Sequence, residues 1–351
     1  MYKTALLMSG LVALFLSACQ TLGTPSITGD TPTTSTQPIV ILIHGGAGSA
    51  RAGGMPEEDE MAYKAALSDA LNEGYQILEQ GGSSLDAVQA AILLLEDNPL
   101  FNAGRGSVLS SDGTVSMDAS IMNGADLDAG AIAGVKTIRH PILAARAVMQ
   151  DSPHVMLSGQ GAQVFADDIG LQVENPDWFI TEPRREQLQR VKDRQNNLKI
   201  SSKQASDYFG TVGAVALDRH GNLAAATSTG GMTNKKWDRI GDSPIIGAGT
   251  YADNNSCAVS ATGWGEYFIR ATVARDICAR VQWTGADVQT AGDQEIFEIV
   301  ELGGQGGVLV IDTAGNYAFS FSTAVMFRGA RTEIGEEVAI FKEHGNKEHD
   351  N

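Results

Sequence analysis

The stretch of residues 209–249 constrains the fold of this chain more than any other. An apolar run follows Thr211, a turn-like segment occupies residues 218–222, and a second apolar run ends at Thr229. Two strand-like runs joined by a short turn that contains Asp, Gly and Asn predict an antiparallel β-hairpin. In the simplest register Thr211 and Thr229 lie opposite each other, where one hydroxyl can support the other.

Thr211 is the candidate nucleophile of this stretch. A threonine hydroxyl needs a base to take its proton, and neither histidine nor lysine stands beside Thr211 in the sequence. The α-amine of Thr211 can be that base if the bond to Gly210 is broken, because its reference pKa is near ~8. Gly210 tolerates the strained backbone from which the Thr211 hydroxyl can attack the preceding carbonyl. A Gly-Thr pair taken alone, however, more often just begins a strand.

Arg239 and Asp242 have the opposite charges that a binding site for a small zwitterion requires. A guanidinium fork suits an α-carboxylate, and a carboxylate suits an α-ammonium. Taken without the surrounding motif, the pair is more often a surface ion pair, which contributes little. Further along, Thr262 and Gly263 lie where a strand turns towards a helix, so a hydroxyl and a backbone N–H can stabilise an oxyanion there.

Hairpins and helices occupy separate blocks of the sequence. Further hairpins are predicted at residues 107–119, with a turn at Asp112 and Gly113, and at residues 307–323. Helical spacing is present at residues 57–80, 84–97, 142–150, 160–169, 184–194, 265–282 and 286–302. This order indicates an α+β fold, with two sheets layered between helices, and not a parallel βαβ order.

Long motifs follow one another between residues 39 and 328. They include HGGAG at 44–48, LFNAGRGSVL at 100–109, MDASIMNG at 117–124, GTVGAVALD at 210–218, GNLAAATSTGGMTNK at 221–235, RIGDSPIIGAGTYADN at 239–254 and ATGWGEYFIR at 261–270. In order and spacing these motifs resemble the plant-type asparaginase/isoaspartyl peptidase (β-aspartyl peptidase) family of N-terminal nucleophile (Ntn) hydrolases. The resemblance implies the αββα sandwich of that superfamily, with two mainly antiparallel sheets between helical layers.

The resemblance also implies an activity and a processing step. The activity is hydrolysis of β-aspartyl dipeptides and of asparagine, which uses no cofactor in catalysis. Autoproteolysis between Gly210 and Thr211 divides the domain of residues 39–351 into an α subunit, 39–210, and a β subunit, 211–351. The family further implies a dimer of such heterodimers.

Site residues of the family match positions of this chain one by one. Those assigned to catalysis are the nucleophile Thr211, its orienting partner Thr229, the oxyanion donors Thr262 and Gly263, and Asn102 near the nucleophile. Those assigned to substrate binding are Arg239, Asp242 and Gly265. A structural sodium ion is implied on the main-chain carbonyls of Leu95, Glu96, Asn98, Phe101, Ala103 and Arg105.

Trp264 departs from the family pattern, in which a small residue, often threonine, stands at this position. A tryptophan at this position is expected to alter the width of the pocket, and hence the leaving group that the pocket accepts. Two alternative functions are a glycosylasparaginase, which cleaves asparagine-linked sugar, and a non-catalytic lipid-anchored binding protein. GMTNK at residues 231–235 looks more like the isoaspartyl peptidase branch, and a binding protein would need a defect in the nucleophile group, whose residues are all present.

The first residues resemble a bacterial lipoprotein signal. Lys3 precedes an apolar run at residues 5–16 that is too short to span a bilayer comfortably, and Leu-Ser-Ala-Cys ends at Cys19. The resemblance implies a signal peptide at 1–18, lipidation of Cys19 and, because Gln20 follows, a periplasmic position at the outer membrane of a Gram-negative bacterium. Simple cleavage and release is the alternative. Residues 19–38 are rich in Thr, Ser, Pro and Gly, which predicts a flexible tether.

Composition argues against some partners. A formal net charge of −17 does not suit nucleic acid or an anionic membrane surface, so membrane contact is expected only through the lipid anchor. Cys257 and Cys278 can form a disulfide in the periplasm or remain two buried thiols. His44, at the end of an apolar run, is predicted to be a hydrogen-bonded structural residue and not a base.

Overall fold

The hairpin that begins at Thr211 lies in the middle of a sheet. The structure, a computed structural model, describes residues 37–48, 54–198 and 210–342. Strand β5 (Val212–Leu217) pairs antiparallel with β6 (Leu223–Thr229), and Val212 lies opposite Ser228. This is the predicted register, which places Thr211 opposite Thr229. Cys19, the predicted signal peptide and nearly all of the predicted tether fall outside the described residues.

Helices and strands follow one another in blocks along the chain. The described helices are α1 (Glu57–Glu79), α2 (Ser84–Asp97), α3 (Pro141–Asp151), α4 (Gly159–Asp168), α5 (Pro176–Phe179), α6 (Glu182–Leu198), α7 (Gly265–Ala271), α8 (Val273–Thr284) and α9 (Val288–Glu301). The other described strands are β1 (Val40–Gly48), β2 (Met117–Asn123), β3 (Ala129–Val135), β4 (Met156–Ser158), β7 (Thr250–Ala252), β8 (Cys257–Gly263), β9 (Gly306–Asp312), β10 (Tyr317–Phe321), β11 (Val325–Thr332) and β12 (Gly335–Phe341). Within the described ranges, none of the helices is long and apolar enough to span a membrane.

The strands form two sheets. The larger has eight strands in the order β12-β11-β1-β5-β6-β2-β3-β4, and the smaller has four in the order β10-β9-β8-β7. All of these neighbours pair antiparallel except β3 and β4. Short turns join β5 to β6 and β9 to β10, and a short turn can only connect antiparallel strands.

Alternating side chains of the central strands build two cores. Ile41 and Ile43 of β1 pack into a cluster with side chains of α1, α2 and α3, such as Leu71. Leu42, between them, joins the other cluster with Val259 of β8 and with side chains of α8 and α9. Because successive strand residues point to opposite faces, the larger sheet packs on helices at one face and on the smaller sheet at the other. The predicted α+β fold, an αββα sandwich, is confirmed.

The predicted hairpin at residues 107–119 is wrong. Residues 107–111 bind other loops instead: Val108 N donates to Asn102 Oδ1, and Ser111 N donates to the carbonyl of Lys235. The turn at Asp112 exists, since Thr114 N donates to its side chain. The strand that follows, β2, pairs with β3 and β6. The predicted hairpin at 307–323 is confirmed by β9 and β10.

The predicted helix at residues 265–282 is two helices, α7 and α8. Thr272 between them adopts a left-handed conformation with φ of 52°. At the start of α8, the backbone N–H groups of Ala274 and Arg275 donate to the carbonyls of Ala248 and Gly247. This docking redirects the chain. Cys278 of α8 forms a disulfide with Cys257 of β8, with 5.2 Å between their Cα atoms, so the disulfide is the alternative that the structure selects.

Candidate active site

Thr211 and Thr229 bring their hydroxyls together at one end of the central hairpin. Thr211 Oγ1 donates to Thr229 Oγ1 over 3.0 Å. The backbone N–H of Gly231 donates to the same Thr229 oxygen at 2.9 Å. Both threonines are buried. Thr229 is therefore held in place by the main chain, and it can orient the Thr211 hydroxyl towards a substrate.

His44 holds the main chain of Thr211. Its Nδ1 lies 3.0 Å from the Thr211 carbonyl oxygen, and its Nε2 lies 3.0 Å from Ser260 Oγ. Burial lowers the pKa of His44 to about 3, and the opposing effect of the Thr211 carbonyl is smaller. The neutral ring donates from Nδ1 to Thr211 and accepts at Nε2 from Ser260. The prediction of a hydrogen-bonded structural histidine is confirmed.

Two buried charged residues lie behind the threonine pair. Asp118 stands opposite Thr229 in the pairing of β2 with β6, and its Oδ1 accepts from the Gly134 N–H at 2.8 Å. Lys235 Nζ donates to the Ser116 carbonyl. Burial raises the pKa of Asp118 and lowers that of Lys235, while each opposes the shift of the other. In the part of the chain that the structure describes, no histidine, lysine or carboxyl group hydrogen-bonds to the Thr211 hydroxyl.

Arg239 and Asp242 converge on Gly265. A Cβ atom at Gly265 would lie 2.7 Å from Asp242 Oδ1 and 2.9 Å from Arg239 Nη2, so only glycine leaves room for both groups. Arg239 makes a bidentate ion pair with Glu266, with both N–O distances 2.9 Å. The competing interpretation, a surface pair of Arg239 with Asp242, is not found among the described ion pairs.

Asp242 is a buried carboxyl group with an unsatisfied oxygen. Its Oδ2 hydrogen-bonds to no other described residue. Burial raises the pKa of Asp242 to about 7, although the positive charge of Arg239 opposes this shift. A buried carboxylate without a partner is unstable by itself and is stabilised by an incoming cation.

Thr262 and Gly263 end strand β8 on the side that faces the threonine pair. Ser260, two residues earlier on the same strand face, contacts His44 and Thr227 of the larger sheet, so the Thr262 side chain points the same way. Thr262 Oγ1 is buried and has no hydrogen-bond partner among the described residues. Such a hydroxyl is free to donate to a developing oxyanion.

A small cavity of about 10 Å³ unites most of the predicted site. Its walls are Gly210, Thr211, Thr229, Gly231, Met232, Arg239, Gly241, Asp242, Ser243 and Gly263. Asn102 lies just behind it: Asn102 Nδ2 donates to the Gly231 carbonyl at 2.8 Å, and a Cβ at Gly210 would lie 3.0 Å from that of Asn102. The structure thus brings Thr211, Thr229, Arg239, Asp242 and the end of β8 to one surface.

Main-chain carbonyls crowd around the glycines of the loop after α2, where the resemblance implies a sodium ion. A Cβ at Gly104 would collide with the Glu96 carbonyl, and one at Gly106 would lie 2.8 Å from that of Phe101. The carbonyls of Glu96 and Asn98 also accept from the backbone N–H groups of Arg105 and Phe101. The predicted ligand set, whose other members are Leu95, Ala103 and Arg105, stays a prediction. Glu96 also links the loop to the hairpin, since Ser228 Oγ donates to its Oε1 over 2.6 Å.

Sequence reasoning missed Glu266, Asp118 and Lys235. Glu266 follows Gly265 in a quoted motif, but its pairing with Arg239 joins residues 27 positions apart in sequence. Asp118 had a visible signal, because it is a charged residue inside an otherwise apolar and small-residue strand. Lys235 lies in the loop after β6 and carried no signal of its burial.

The αββα sandwich with a threonine at the start of a central strand defines an Ntn-type hydrolase. The chain belongs to the asparaginase family, because the family model described as Asparaginase matches residues 36–340. The resemblance inferred from the motifs is thereby confirmed, and the chain is an enzyme of this hydrolase family.

Individual relatives extend over most of this chain. The isoaspartyl peptidase of Salmonella typhimurium is 48% identical over 293 residues, which are 82% of this chain and 94% of the relative. That of Escherichia coli is 48% identical over 82% of this chain and 91% of the relative. The isoaspartyl peptidase/L-asparaginase of Rattus norvegicus is 43% identical over 82% of this chain and 84% of the relative.

Proposed function

We propose that this chain is an isoaspartyl peptidase and L-asparaginase that uses Thr211 as an N-terminal nucleophile. The observation that carries the proposal is the Thr211 hydroxyl, hydrogen-bonded to the hydroxyl of Thr229 in a cavity that also contains Arg239 and Asp242. Relatives named for this activity match over most of both chains. The charges select an amino acid held by its α-carboxylate and α-ammonium groups, with the β-amide directed at Thr211.

The reaction proceeds in two steps. The Thr211 amine takes the proton of the Thr211 hydroxyl, and the oxygen forms a bond to the β-carbonyl carbon. Thr262 Oγ1 and the Gly263 N–H stabilise the oxyanion, the C–N bond breaks, and the leaving amine departs with the proton as ammonia or an amino acid. Water then attacks the β-aspartyl ester, which releases aspartate and restores the Thr211 hydroxyl.

The free amine at Thr211 requires cleavage of the Gly210–Thr211 bond. No titratable side chain of the described residues hydrogen-bonds to the Thr211 hydroxyl, which supports the amine as the base. Gly210 lines the same cavity and is buried next to Asn102, so the scissile bond is within the site that would process it. The products of this autoproteolysis are the α subunit 39–210 and the β subunit 211–351.

Two measurements test this proposal: the mass of the purified, denatured protein, and the turnover of substrates by the native protein. Two chains that meet between Gly210 and Thr211 are expected, with aspartate release from β-Asp-Leu and ammonia release from asparagine. Thr211→Ala is expected to remain a single chain without either activity. Thr284→Ala, at the exposed end of α8, is the matched control and should process normally. An intact wild-type chain, or an active Thr211→Ala variant, would refute the mechanism.

Three further parts of the proposal concern assembly, sodium and location. The heterodimer is proposed to pair with a second copy, which light scattering of the processed protein would test. Sodium is proposed to bind the carbonyls of the loop after α2, and melting temperatures in sodium and in choline salts would test it. Lipidation at Cys19 is proposed to anchor the protein in the periplasm. The amount of Cys19→Ala protein in the membrane fraction, compared with that of the wild type, would test it. The Cys257–Cys278 disulfide supports an oxidising compartment.

A further inference from the structure

A second, larger cavity adjoins the one that contains Thr211. Its volume is about 460 Å³, and Met232 and Arg239 line both cavities. This volume is within the range of about 300–1,000 Å³ that is usual for small-molecule sites. Its remaining walls include Trp264, Tyr267 and Arg270 from the α7 region and Lys236 and Trp237 from the loop after β6.

The charge of this cavity is opposite to the charge of the chain. The chain has a formal net charge of −17, yet Lys236, Arg239 and Arg270 all line the cavity, and among its described lining residues only Glu266 is acidic. Glu266 is paired with Arg239. Within the described residues neither Lys236 nor Arg270 takes part in an ion pair, and both are exposed. The cavity therefore offers cations to an anionic group.

Aromatic rings supply the apolar part of the wall. Trp264 and Tyr267 meet edge to face, with 5.3 Å between their ring centroids, and the Arg270 guanidinium lies 5.3 Å from the Tyr267 centroid. Trp264 directly follows Gly263 at the end of β8, and its backbone N–H donates to the Gln305 carbonyl at 2.9 Å. The main chain that carries the ring is thus held directly after Gly263, one of the two proposed oxyanion donors.

We propose that this cavity is the leaving-group subsite, and that it selects β-aspartyl dipeptides whose second residue has a large apolar or aromatic side chain and a free α-carboxylate. The carboxylate pairs with Arg270, and the side chain packs against Trp264 and Tyr267. The inference rests on the proposed function. Ammonia, the leaving group of asparagine, can use neither feature, so asparagine gains nothing from the subsite.

The subsite acts only on the first half-reaction. When the C–N bond of the dipeptide breaks, the released amino acid carries away the proton that came from the Thr211 hydroxyl. Its α-carboxylate is present before and after this step, so Arg270 positions the leaving residue and takes no proton. Release of the product into an exposed cavity then opens the ester to water.

Competing substrates for the processed enzyme provide the test. We expect kcat/KM for β-Asp-Phe to exceed that for its C-terminal carboxamide by about tenfold, because the amide lacks the charge that pairs with Arg270. Arg270→Gln should reduce this ratio to about threefold or less and leave asparagine hydrolysis unchanged. Trp264→Thr should lower the preference for β-Asp-Phe over β-Asp-Ala by about fivefold or more.

Arg275→Gln is the matched control. Arg275 also lies over aromatic rings, at 5.2 Å from the Tyr251 centroid and 5.0 Å from that of Trp283, but it does not line this cavity. It should leave the ratio of acid to amide unaltered. A wild-type ratio near one, with both dipeptides hydrolysed, would overturn the subsite and leave the proposed function standing. No release from any substrate would overturn both.

Discussion

The burial of Asp242 affects how the rate of the proposed reaction depends on pH. Burial raises its pKa to about 7, so in the free enzyme the carboxyl group is protonated below that pH and charged above it. The substrate α-ammonium needs the charged form. We therefore expect the titration of Asp242 to contribute a limb of the pH profile in which kcat/KM for asparagine rises about tenfold per pH unit below 7. This limb multiplies the one that belongs to the Thr211 amine, whose reference pKa is near ~8.

Succinamate has the β-amide of asparagine but no α-ammonium. It therefore distinguishes the titration of Asp242 from the titration of the Thr211 amine. Its kcat/KM should lack the limb near pH 7 and keep the one that belongs to the amine. Asp242→Asn should lower kcat/KM for asparagine by about 100-fold at pH 8, because the ammonium loses the carboxylate proposed to bind it. Identical pH profiles for asparagine and succinamate would remove Asp242 from this role.

How far single residues could be predicted depends on sequence distance. Thr211 and Thr229 face each other because a tight turn and a period of two fix the register, and both signals are local. The partner of Arg239 could not be predicted in the same way. Glu266 reaches it only because α7 starts where β8 ends, against the loop that carries Arg239. The sequence therefore assigned Arg239 to a substrate carboxylate, which stays a prediction, and gave no signal of its ion pair with Glu266.

At the scale of elements, Gly213 determines whether the two sheets can pack. It lies on β5, and a Cβ atom there would collide with Ser260 Oγ of β8 and with His44 Nε2 of β1. Because these atoms are buried between the sheets, Gly213→Ala should destabilise the protein by more than about 3 kcal/mol. Soluble yield and thermal melting measure this effect.

Gly48→Ala is the control for that substitution. Gly48 also lies on a buried strand of the larger sheet, but a Cβ there would meet Val325 at an ordinary 3.7 Å. Its melting temperature should stay close to that of the wild type. If Gly213→Ala melts at the temperature of Gly48→Ala, the close approach of the sheets at this point is incorrect.

The disulfide fixes α8 to β8 across the second core. It closes a segment with a sequence separation of 21 residues, so its loss should cost about 2–4 kcal/mol. The paired variant Cys257→Ala/Cys278→Ala should accordingly melt several degrees lower than the wild type, with no further decrease on addition of reductant. Cys19→Ala should respond to reductant like the wild type. Two titratable thiols in the unreduced, denatured Cys19→Ala protein would contradict the bond.

The bounds of helices and strands could be predicted where the residues that determine them are close in sequence. Ser83 caps α2 by accepting from the Asp86 N–H at 3.1 Å, and the predicted helix at 84–97 has these bounds. The break at Thr272 was not predictable, because neither glycine nor proline marks it. It arises from docking of the first turn of α8 onto residues 247 and 248, a tertiary contact. Residues 107–111 likewise looked like a strand, but Leu109 accepts from the Asn234 N–H and Ser111 donates to the Lys235 carbonyl, two contacts with a loop that is distant in sequence.

At the scale of the whole molecule, cleavage would leave two chains interleaved in one sheet. Strands β1, β2, β3 and β4 belong to residues 39–210, whereas β5, β6, β11 and β12 belong to residues 211–351. Three pairings of the larger sheet therefore join the two pieces: β11 with β1, β1 with β5, and β6 with β2. β1 lies between two strands of the other piece, in the middle of the hydrophobic core.

Such interleaving predicts that the processed subunits stay together and unfold together. They should co-elute at the volume of the uncleaved Thr211→Ala protein in native gel filtration and separate only in denaturant. Thermal unfolding should show one cooperative transition, because removing either piece exposes the buried faces of β1 to water. Separation of the two subunits in native buffer, or distinct melting transitions for each, would show that the sheet does not hold them as this topology requires.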